Sequence, residues 1–433
     1  MNKKYFGTDG IRGEVGNPPI TPDFMLKLGW AFGNVLSKKI STKEKLQVII
    51  GKDTRVSGYM FESALEAGLV SSGVDVRLTG PMPTPAVATI TSMLKASAGI
   101  VISASHNAYS DNGVKFFGKD GEKISDHDEL AIEAKIGEKL VAVSSDSLGK
   151  ASRIDTAAEM YMNFCKSTVK NNFNLHGVRL ALDCANGATY HLAPKIFDEM
   201  GAEIISLGIS PDGFNINRDV GSTSISALVQ TVKKNDVDLG IAFDGDGDRV
   251  LFVDNKGDVI DGDQLLYLLA LQRQRSDGIE GVVGTEMSNL GLENAFRDRK
   301  ISFCRAKVGD RYVKQMMRDR RWTLGGESSG HIICGDVTTT GDGIVAALQA
   351  LSALDFLGLS LRDSVKGMQK HPQCLINVPY SSSSTMEDPS ILKEIKIVRK
   401  KLGDNGRVLL RPSGTEPVVR VMVEAENAKE AQS

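Results

Sequence analysis

The sequence predicts an α/β protein that is built from several successive blocks of strands and helices. Three observations support this prediction. Short apolar strands alternate with amphipathic helices along the whole chain. The 433 residues are enough for about three domains or four small ones. Apolar residues make up 41% of the chain, which is enough to bury a core in each block.

The first block has the strand and helix order of βαβ units, which predicts a mixed or parallel sheet. Its first helix has a threonine at the N-cap and a proline at the first helical position, where proline is well tolerated. Its last strand leads directly into a polar loop. The predicted elements are a helix from Thr21-Pro22, a helix over 58–71, and strands at 46–50, 74–78 and 99–103.

The same alternation continues through two further blocks and a shorter last piece. The second block also ends a strand in a polar loop, and the last piece contains a strand, a helix and a pair of strands around a loop. The predicted strands are 178–183, 203–207, 238–243, 282–285, 302–306, 323–325, 408–410 and 418–424, and the predicted helices are 190–200, 225–234 and 391–402.

Charge and cysteine usage exclude several classes of protein. The 52 basic and 54 acidic residues give a net charge of −2, which argues against a dedicated nucleic-acid binder. We find no signal peptide and no apolar stretch of ~20 residues that could span a membrane. The five cysteines are scattered and show no Cys-x-x-Cys spacing, so neither a disulfide framework nor a zinc site is expected. A cytoplasmic location fits this pattern.

Four polar loops, each containing glycine, follow predicted strands, one in each block. Open α/β sheets bind their ligands at the carboxyl ends of the strands. We therefore expect the four loops to contribute to one site.

The first of these loops, residues 103–113, is rich in serine. A serine hydroxyl can form a covalent phosphoryl intermediate when it is positioned and the charge on the phosphoryl group is neutralised. His106 and Lys115 lie nearby as proton carriers or phosphate ligands. The alternative is a polar surface turn whose serines bond to their own backbone.

The second loop places Asp244, Asp246 and Asp248 at alternate positions with glycines between them. Hard oxygen ligands of this kind suit Mg²⁺ or Ca²⁺, and three unpaired carboxylates would repel one another without a cation. An EF-hand loop needs glycine at its sixth position and glutamate at its twelfth, where this chain has Arg249 and Asn255, so that assignment fails. A solvated acidic turn remains the alternative.

The third and fourth loops are weaker signals when each is taken alone. In residues 325–331, a glutamate and a serine on a glycine-flanked turn can bind adjacent sugar hydroxyls, although a plain turn with a satisfied histidine fits equally well. In residues 411–417, successive backbone amides around glycine form an anion nest, and arginine adds a fork for phosphate. A structural turn is the alternative there. Together the four loops suit phosphoryl transfer on a sugar phosphate.

These motifs resemble the α-D-phosphohexomutase family over nearly the whole chain. The serine loop, Asp-Gly-Asp-Gly-Asp-Arg, Gly-Glu-x-Ser-Gly-His and Arg-Pro-Ser-Gly-Thr-Glu-Pro occur in the family's order. The resemblance implies three similar mixed-sheet α/β domains plus a smaller C-terminal α+β domain around a central cleft. The implied domains are 1–158 with the phosphoserine loop, 159–258 with the metal-binding loop, 259–372 with the sugar-binding loop and 373–433 with the phosphate-binding loop.

The resemblance also implies a role for each matching residue. Ser105 would be the phosphorylated serine and would share a Mg²⁺ ion with Asp244, Asp246 and Asp248. Glu327 and Ser329, with His331 beside them, would hold sugar hydroxyls. The remaining implied residues are Arg12, His106, Lys115 and Arg249 for catalysis, and Arg411, Ser413, Gly414, Thr415 and Arg420 for the phosphate that does not react.

The segment from Phe6 to Gly13 resembles the branch of the family that acts on glucosamine phosphate. The resemblance therefore implies interconversion of glucosamine 6-phosphate and glucosamine 1-phosphate, with a hexose 1,6-bisphosphate as intermediate and activator. It also implies a homodimer and no nucleic-acid or membrane partner. Two alternatives are a mutase for glucose or mannose phosphates and a non-catalytic protein that binds phosphosugar or metal.

Three features depart from the family's pattern. Ala108 stands where the serine loop usually has proline, and Ser328 stands where the glucosamine branch usually has glutamine. The family usually continues with a closing helix after the last strand, so the fourth domain is expected to be truncated.

Overall fold

The computed structural model describes residues 3–40, 45–379, 388–412 and 418–432. Within these residues the strands form four sheets that follow one another along the chain. The first three sheets mix parallel and antiparallel strands, whereas the fourth is antiparallel. The predicted architecture of three similar α/β domains and a smaller C-terminal domain is therefore confirmed.

The first sheet has six strands in the order β1-β5-β4-β2-β3-β6. Its interior strands β4, β2 and β3 are parallel, and β5 returns antiparallel to β4. Its elements are β1 (Ile11–Glu14), α1 (Pro22–Lys39), β2 (Gln47–Lys52), α2 (Val56–Ser71), β3 (Asp75–Pro81), α3 (Thr84–Met93), β4 (Ala98–Ile102), β5 (Asp111–Gly118), α4 (Asp126–Ile136) and β6 (Ala151–Arg153).

The second sheet has five strands in the order β11-β10-β9-β7-β8, and β10 is antiparallel to β9. Helix α6 begins at Ala193 rather than at the predicted residue 190, because its proline occupies the first turn. The elements are α5 (Ala157–Ser167), β7 (Arg179–Asp183), α6 (Ala193–Glu199), β8 (Glu203–Leu207), α7 (Ser226–Asn235), β9 (Leu239–Phe243), β10 (Val250–Asp254) and β11 (Val259–Ile260).

The third sheet has the order β13-β12-β14-β15, in which only β15 is antiparallel to its neighbour among the described strands. Helix α8 starts with a capping box between Asp261 and Gln264. The elements are α8 (Gly262–Arg275), β12 (Gly281–Thr285), α9 (Leu290–Asp298), β13 (Ser302–Ala306), α10 (Asp310–Arg320), β14 (Leu324–Gly326), β15 (Ile332–Cys334), α11 (Gly343–Leu357) and α12 (Leu361–Ser364).

The fourth sheet is smaller, with the order β16-β18-β17. Arg407 of β17 donates to the carbonyls of Glu286 and Ser288, which anchors this domain on the third. The elements are β16 (Gln373–Pro379), α13 (Pro389–Leu402), β17 (Arg407–Pro412), β18 (Val418–Glu424) and α14 (Ala428–Gln432).

Each of the four candidate loops joins two neighbouring antiparallel strands of its sheet. The serine loop joins β4 to β5, the aspartate loop joins β9 to β10, and the third loop joins β14 to β15. The fourth loop lies between the paired strands β17 and β18. The first three loops therefore each leave their sheet at one strand end and return along the neighbouring strand.

The first three domains share one continuous apolar core. It includes Val101 of the first sheet, Ile241 of the second and Leu324 of the third, all fully buried. The phenol of Tyr161 on α5 also donates to the carboxylate of Asp342, which caps α11. Since burial of shared apolar surface opposes relative motion, these three domains form one framework. Within the described residues, no helix is long and apolar enough to cross a membrane.

Candidate active site

Ser105 lies in the loop after β4 and is only 1% exposed. Its backbone has a φ of 51°, the left-handed conformation that residues with a Cβ adopt rarely. Its hydroxyl donates to Oδ2 of Asp244 at 2.6 Å and lies 3.3 Å from Nδ1 of His106. The nucleophile predicted in the first domain therefore points at the aspartate loop of the second.

Asp244, Asp246 and Asp248 converge in the loop between β9 and β10. Each contributes a carboxylate oxygen to a group whose members all lie within 4.8 Å of one another. Burial, together with the neighbouring Asp248 and Asp246, raises the pKa of Asp244 well above its ordinary value. Three buried carboxylates at this separation need positive charge to be ionised together.

The aspartate cluster meets the requirements of a hard divalent cation such as Mg²⁺. Oδ1 of Asp246 and Oδ1 of Asp248 are buried, and neither has a hydrogen-bond partner. Buried oxygens are rarely left unpaired in proteins, so these two atoms fit a ligand that supplies positive charge. Oxygen-only donors are the set that Mg²⁺ prefers.

Lys115 on β5 is the cation closest to this cluster among the described residues. Its Nζ lies 2.8 Å from Oδ2 of Asp246, 3.1 Å from Oδ2 of Asp9 and 3.4 Å from Oδ2 of Asp248. Burial alone would lower the pKa of Lys115, but these three carboxylates raise it above its ordinary value. Lys115 is therefore a protonated ammonium in this arrangement.

Arg12 and Arg249 bring further positive charge to the site. Arg12 on β1 pairs with Asp9, and Nε of Arg249 lies 3.9 Å from Oδ1 of Asp248. Burial and the two guanidinium groups of Arg249 and Arg12 lower the pKa of His106 to about 4. His106 is therefore neutral near pH ~7 and can accept a hydrogen bond or a proton.

The third loop packs directly on the aspartate loop. The Val250 amide donates to the Gly330 carbonyl at 3.0 Å. The Glu327 carboxylate accepts from the Gly309 amide at 2.9 Å and faces the Ser329 hydroxyl at 3.3 Å. Both side chains are half-buried, as suits groups that bind an entering ligand.

His331 connects the third loop to the aspartate cluster. Its Nδ1 lies 3.7 Å from Oδ1 of Asp248, and its Nε2 lies 3.7 Å from Oδ2 of Asp310. Burial opposes a charge on His331, but Asp248 and Asp310 raise its pKa to about 9. His331 therefore contributes positive charge to the cluster, a role beyond the sugar binding expected from the sequence.

Ser413, Gly414 and Thr415, which the sequence predicts to bind phosphate, lie outside the described residues. Arg411 and Arg420, at the base of that loop, are register partners on β17 and β18. Like charges directly opposite each other on a sheet repel, so an acidic group or a bound anion beside them is stabilising. Their pairing is consistent with a phosphate site.

Three charged residues of the site were not found from the sequence. Lys123 pairs with both Asp9 and Asp310, and Asp9 also contacts Lys115. Burial opposes ionisation of Asp9, yet Lys115, Lys123 and Arg12 hold its pKa well below the ordinary value. Asp9 lies in a glycine-flanked turn three positions before Arg12, a signal that could have indicated it. Lys123 and Asp310 carry no comparable local pattern.

Comparison with protein families matches most of the chain, in four consecutive segments. Domain models of the phosphoglucomutase/phosphomannomutase family match it in order, with α/β/α domain I over residues 3–141, domain II over 159–257, domain III over 261–371 and the C-terminal domain over 375–433.

Curated relatives with the name phosphoglucosamine mutase match nearly the whole chain at 53–56% identity. The protein from Cellvibrio japonicus is 56% identical over 429 residues, which is 99% of this chain and 96% of the relative. The protein from Aeromonas hydrophila is 55% identical over 434 residues, which is 100% of this chain and 97% of the relative. These values exceed what is needed to establish a common family.

Solved structures of lower sequence identity share the fold. A phosphoglucomutase/phosphomannomutase family protein from Burkholderia thailandensis superimposes with a TM-score of 0.81 at 23% identity, covering 98% of this chain and 94% of its own. Aspergillus fumigatus N-acetylphosphoglucosamine mutase, solved with GlcNAc-6P and magnesium, gives 0.66 at 16% identity, covering 100% and 94%.

Proposed function

The chain belongs to the phosphoglucomutase/phosphomannomutase family, and we propose that it interconverts glucosamine 6-phosphate and glucosamine 1-phosphate. Membership of this family makes it an intramolecular phosphotransferase. The observation that carries the proposal is the 2.6 Å hydrogen bond from the Ser105 hydroxyl to Asp244, because it supports Ser105 as a nucleophile that would act beside a cation held by the aspartates. The names of relatives that are 53–56% identical support glucosamine phosphate as the substrate.

In the proposed reaction, Ser105 carries a phosphoryl group at the start of each cycle. The free hydroxyl of the hexose monophosphate attacks that phosphorus, the bond to Ser105 Oγ breaks, and a hexose 1,6-bisphosphate forms. The bisphosphate turns around in the site, and Ser105 Oγ takes back the other phosphoryl group. The isomeric monophosphate then leaves, and a supplied 1,6-bisphosphate would activate any unphosphorylated enzyme.

Mg²⁺ is the cation we propose for the aspartate cluster, held by Asp244, Asp246, Asp248 and an oxygen on Ser105. When bound it supplies positive charge to the oxygens of the transferring group. Lys115 adds a second positive charge from the side of Asp246. Arg12 and Arg249 add others from β1 and from the end of the aspartate loop.

Lys115 and His106 are the two candidates for moving the substrate proton. Lys115, our first candidate, is held protonated by Asp246, Asp9 and Asp248, so it can donate a proton directly. It becomes a base only when those carboxylates share their charge with a bound cation. His106, our second candidate, is neutral and lies 3.3 Å from the Ser105 hydroxyl, so it can accept a proton without that condition.

The remaining residues orient the sugar. Glu327 and Ser329 would bind hydroxyls of the hexose, with His331 beside them. Arg411 and Arg420 would hold the phosphate that is not reacting, together with Ser413, Gly414 and Thr415. Because each end of the bisphosphate must face Ser105 in turn, these phosphate-binding residues have to accept the bisphosphate in both orientations. The product would supply amino-sugar nucleotides, including UDP-N-acetylglucosamine, for peptidoglycan precursors.

A substrate panel tests the proposal. With Mg²⁺ and a catalytic amount of hexose 1,6-bisphosphate, turnover is compared on the 6-phosphates of glucosamine, glucose and mannose. We expect the highest kcat/KM with glucosamine 6-phosphate. A preference for glucose or mannose phosphate would assign the chain to the other activity of the family, and no turnover on any of them would favour a binding protein.

Intact-mass measurement tests the covalent step. The protein should carry one added phosphoryl group after incubation with the bisphosphate, and Ser105→Ala should carry none and lose turnover by at least about 10³-fold. Ser110→Ala is the matched control, because Ser110 is exposed in the same loop. Near-normal turnover in Ser105→Ala would contradict the phosphoserine mechanism.

A further inference from the structure

The peptide that carries Ser105 is held in an unfavourable conformation. Its φ of 51° is unfavourable for a residue with a Cβ, so the surrounding structure must stabilise it. Within the loop, the Asn107 amide donates to the Ala104 carbonyl and the Ser105 amide donates to the Ser103 hydroxyl. The further contacts to this peptide come from two other parts of the chain.

Arg55, at the N-cap of α2, holds the loop from within the first domain. Its Nη2 donates to the Asn107 carbonyl at 2.6 Å and to the Ser105 carbonyl at 3.2 Å. The side chain is fully buried and pairs with the buried Asp53. Arginine suits this position because its planar group can bind the acid and two carbonyls at once.

Asp53 also fixes the backbone amide of Ser105, through the Ser103 hydroxyl. It accepts a 2.5 Å hydrogen bond from the Ser103 hydroxyl, and that hydroxyl in turn accepts from the Ser105 amide at 2.9 Å. Arg55, Asp53 and Ser103 therefore fix both the amide and the carbonyl of Ser105. In the described hydrogen bonds, these three side chains bind one another or the backbone of the loop, and none binds the Ser105 hydroxyl.

Asn217 holds the same two carbonyls from the second domain. Its Nδ2 donates to the Ser105 carbonyl at 2.9 Å and to the Asn107 carbonyl at 3.0 Å. The backbone N–H of Asn217 donates to the Ala185 carbonyl at 2.8 Å, which fixes Asn217 on the loop after β7. The serine loop is thus tied to the domain that carries the aspartate cluster.

We propose that Arg55 and Asn217 are positioning residues that together aim the Ser105 hydroxyl at Asp244. The carbonyl oxygens of Ser105 and Asn107 each have two lone pairs. Each oxygen accepts one hydrogen bond from Arg55 in the first domain and one from Asn217 in the second. With both donors present the peptide cannot rotate, so the hydroxyl keeps its register with the cation site. This inference rests on the proposed function, because it assigns a purpose to the orientation of Ser105.

Asn217→Ala is the most informative variant, because Asn217 is half-buried and its loss removes donors without leaving a charge unpaired. We expect kcat to fall by roughly 10- to 100-fold with KM changed by less than about 3-fold, since misplacement of a reacting group acts on the chemical step. Rapid mixing with glucose 1,6-bisphosphate, followed by intact-mass measurement, should show slower phosphorylation of Ser105 by a similar factor.

Asn215→Ala is the matched control, since Asn215 lies in the same segment but donates to the Ser210 carbonyl. It should keep wild-type kcat and phosphorylation rate. Arg55→Lys provides a second test, because lysine keeps the charge beside Asp53 but not the forked donors. Its kcat should lie below that of the wild type and above that of Arg55→Met.

Wild-type phosphorylation rate and kcat in Asn217→Ala would overturn the inference, as would an equal loss in Asn215→Ala. A loss of kcat that is matched by a fall in the folded fraction would show a merely structural role and overturn it too. Failure of the proposed function looks different: the wild-type protein itself would then show no phosphoryl group on Ser105 and no mutase turnover.

Discussion

The hydroxyl of Ser105 donates to Oδ2 of Asp244 at 2.6 Å, although the two residues are 139 positions apart in the sequence. The serine follows a parallel strand of the first sheet and the aspartate follows a parallel strand of the second. The apolar core that the first three domains share holds these two strand ends together. The geometry of the site therefore depends on the packing between domains as much as on either loop.

Gly245 permits the close approach of the two loops, and we predict that Gly245→Ala impairs catalysis. A Cβ at this position would lie 2.5 Å from the Ser105 carbonyl oxygen and 2.8 Å from Nδ2 of Asn217. One loop would have to move, so kcat should fall by about 10²-fold or more. Steady-state kinetics together with circular dichroism would measure the loss in a folded protein.

Gly137→Ala is the control for this prediction. Gly137 caps α4 with an ordinary helical backbone, φ −64°, and lies in the first domain away from the aspartate loop. Its substitution should leave kcat unchanged. A Gly245→Ala enzyme with normal kcat would mean that the two loops need not be in contact during the reaction.

Asp244→Asn should separate two effects of the aspartate cluster, the destabilisation of the cation-free protein by charge repulsion and the binding of Mg²⁺. Burial and the neighbouring Asp248 and Asp246 raise the pKa of Asp244, so an ionised cluster destabilises the cation-free protein. The amide keeps acceptor capacity for the Ser105 hydroxyl and removes that charge. In EDTA the variant should melt a few degrees above the wild type, whereas added Mg²⁺ should raise the melting temperature of the wild type only.

Asp277→Asn, at an exposed aspartate, should behave like the wild type in both conditions. The cation site would have to be placed elsewhere if Asp244→Asn kept the full melting response to Mg²⁺. Chelation should also abolish wild-type turnover, and Mg²⁺ should restore it.

Much of this arrangement could be predicted from the sequence, because strand ends and glycine-rich loops are local features. The strands before the serine and aspartate loops were predicted within a residue of their observed ends at Ile102 and Phe243. The antiparallel return strands β5, β10 and β15 were not predicted, whereas β18 was. The strand Val259–Ile260 was also missed, because two residues carry no periodic pattern of their own.

The charged residues behind the site could not be predicted, because their partners come from other domains. Lys123 looks like a surface lysine in the sequence, yet it is paired with Asp9 of its own domain and Asp310 of the third. Asn217 shows the same limitation, since nothing near it in the sequence indicates that it binds the serine loop. Local pattern identifies which loops carry chemistry, and tertiary packing decides what supports them.

Lys123 and Asp310 should behave as a coupled pair in stability measurements. Both side chains are half-buried, and each keeps a second partner, Asp9 for Lys123 and His331 for Asp310, so removing one of the pair should cost about 1–2 kcal/mol. Removing both leaves less uncompensated charge. Lys123→Met and Asp310→Asn should each lower the melting temperature clearly. The double variant should lose less than the sum of the two, and the difference measures the coupling.

Lys119→Met is the control, because Lys119 is an exposed lysine that directly follows β5. It should leave the melting temperature nearly unchanged and add independently to Asp310→Asn. Strict additivity of Lys123→Met and Asp310→Asn would mean that the contact does not link the first and third domains in solution.

Asp263, in the first turn of α8, should make the stability of the protein depend on pH. Burial and the nearby Asp261 raise its pKa to about 7, and its Oδ1 has no hydrogen-bond partner. The folded protein therefore binds a proton that the unfolded chain, with an aspartate pKa of ~3.9, has already released. This proton stabilises the fold at low pH, and its contribution is lost as the pH rises towards the folded pKa.

Asp263→Asn should remove this loss of stability with rising pH, because an asparagine side chain does not ionise. In the wild type, Oδ2 of Asp263 accepts a 2.7 Å hydrogen bond from the backbone N–H of Asn289, and the asparagine side-chain oxygen can accept the same bond. Relative to the wild type, the variant should gain stability between about pH 5 and pH 7, by roughly 2 kcal/mol, and then level off. Thermal melts of both proteins across this range measure the difference. A difference that is constant with pH, or that grows as the pH falls, would show that Asp263 is ionised throughout and is stabilised by its surroundings.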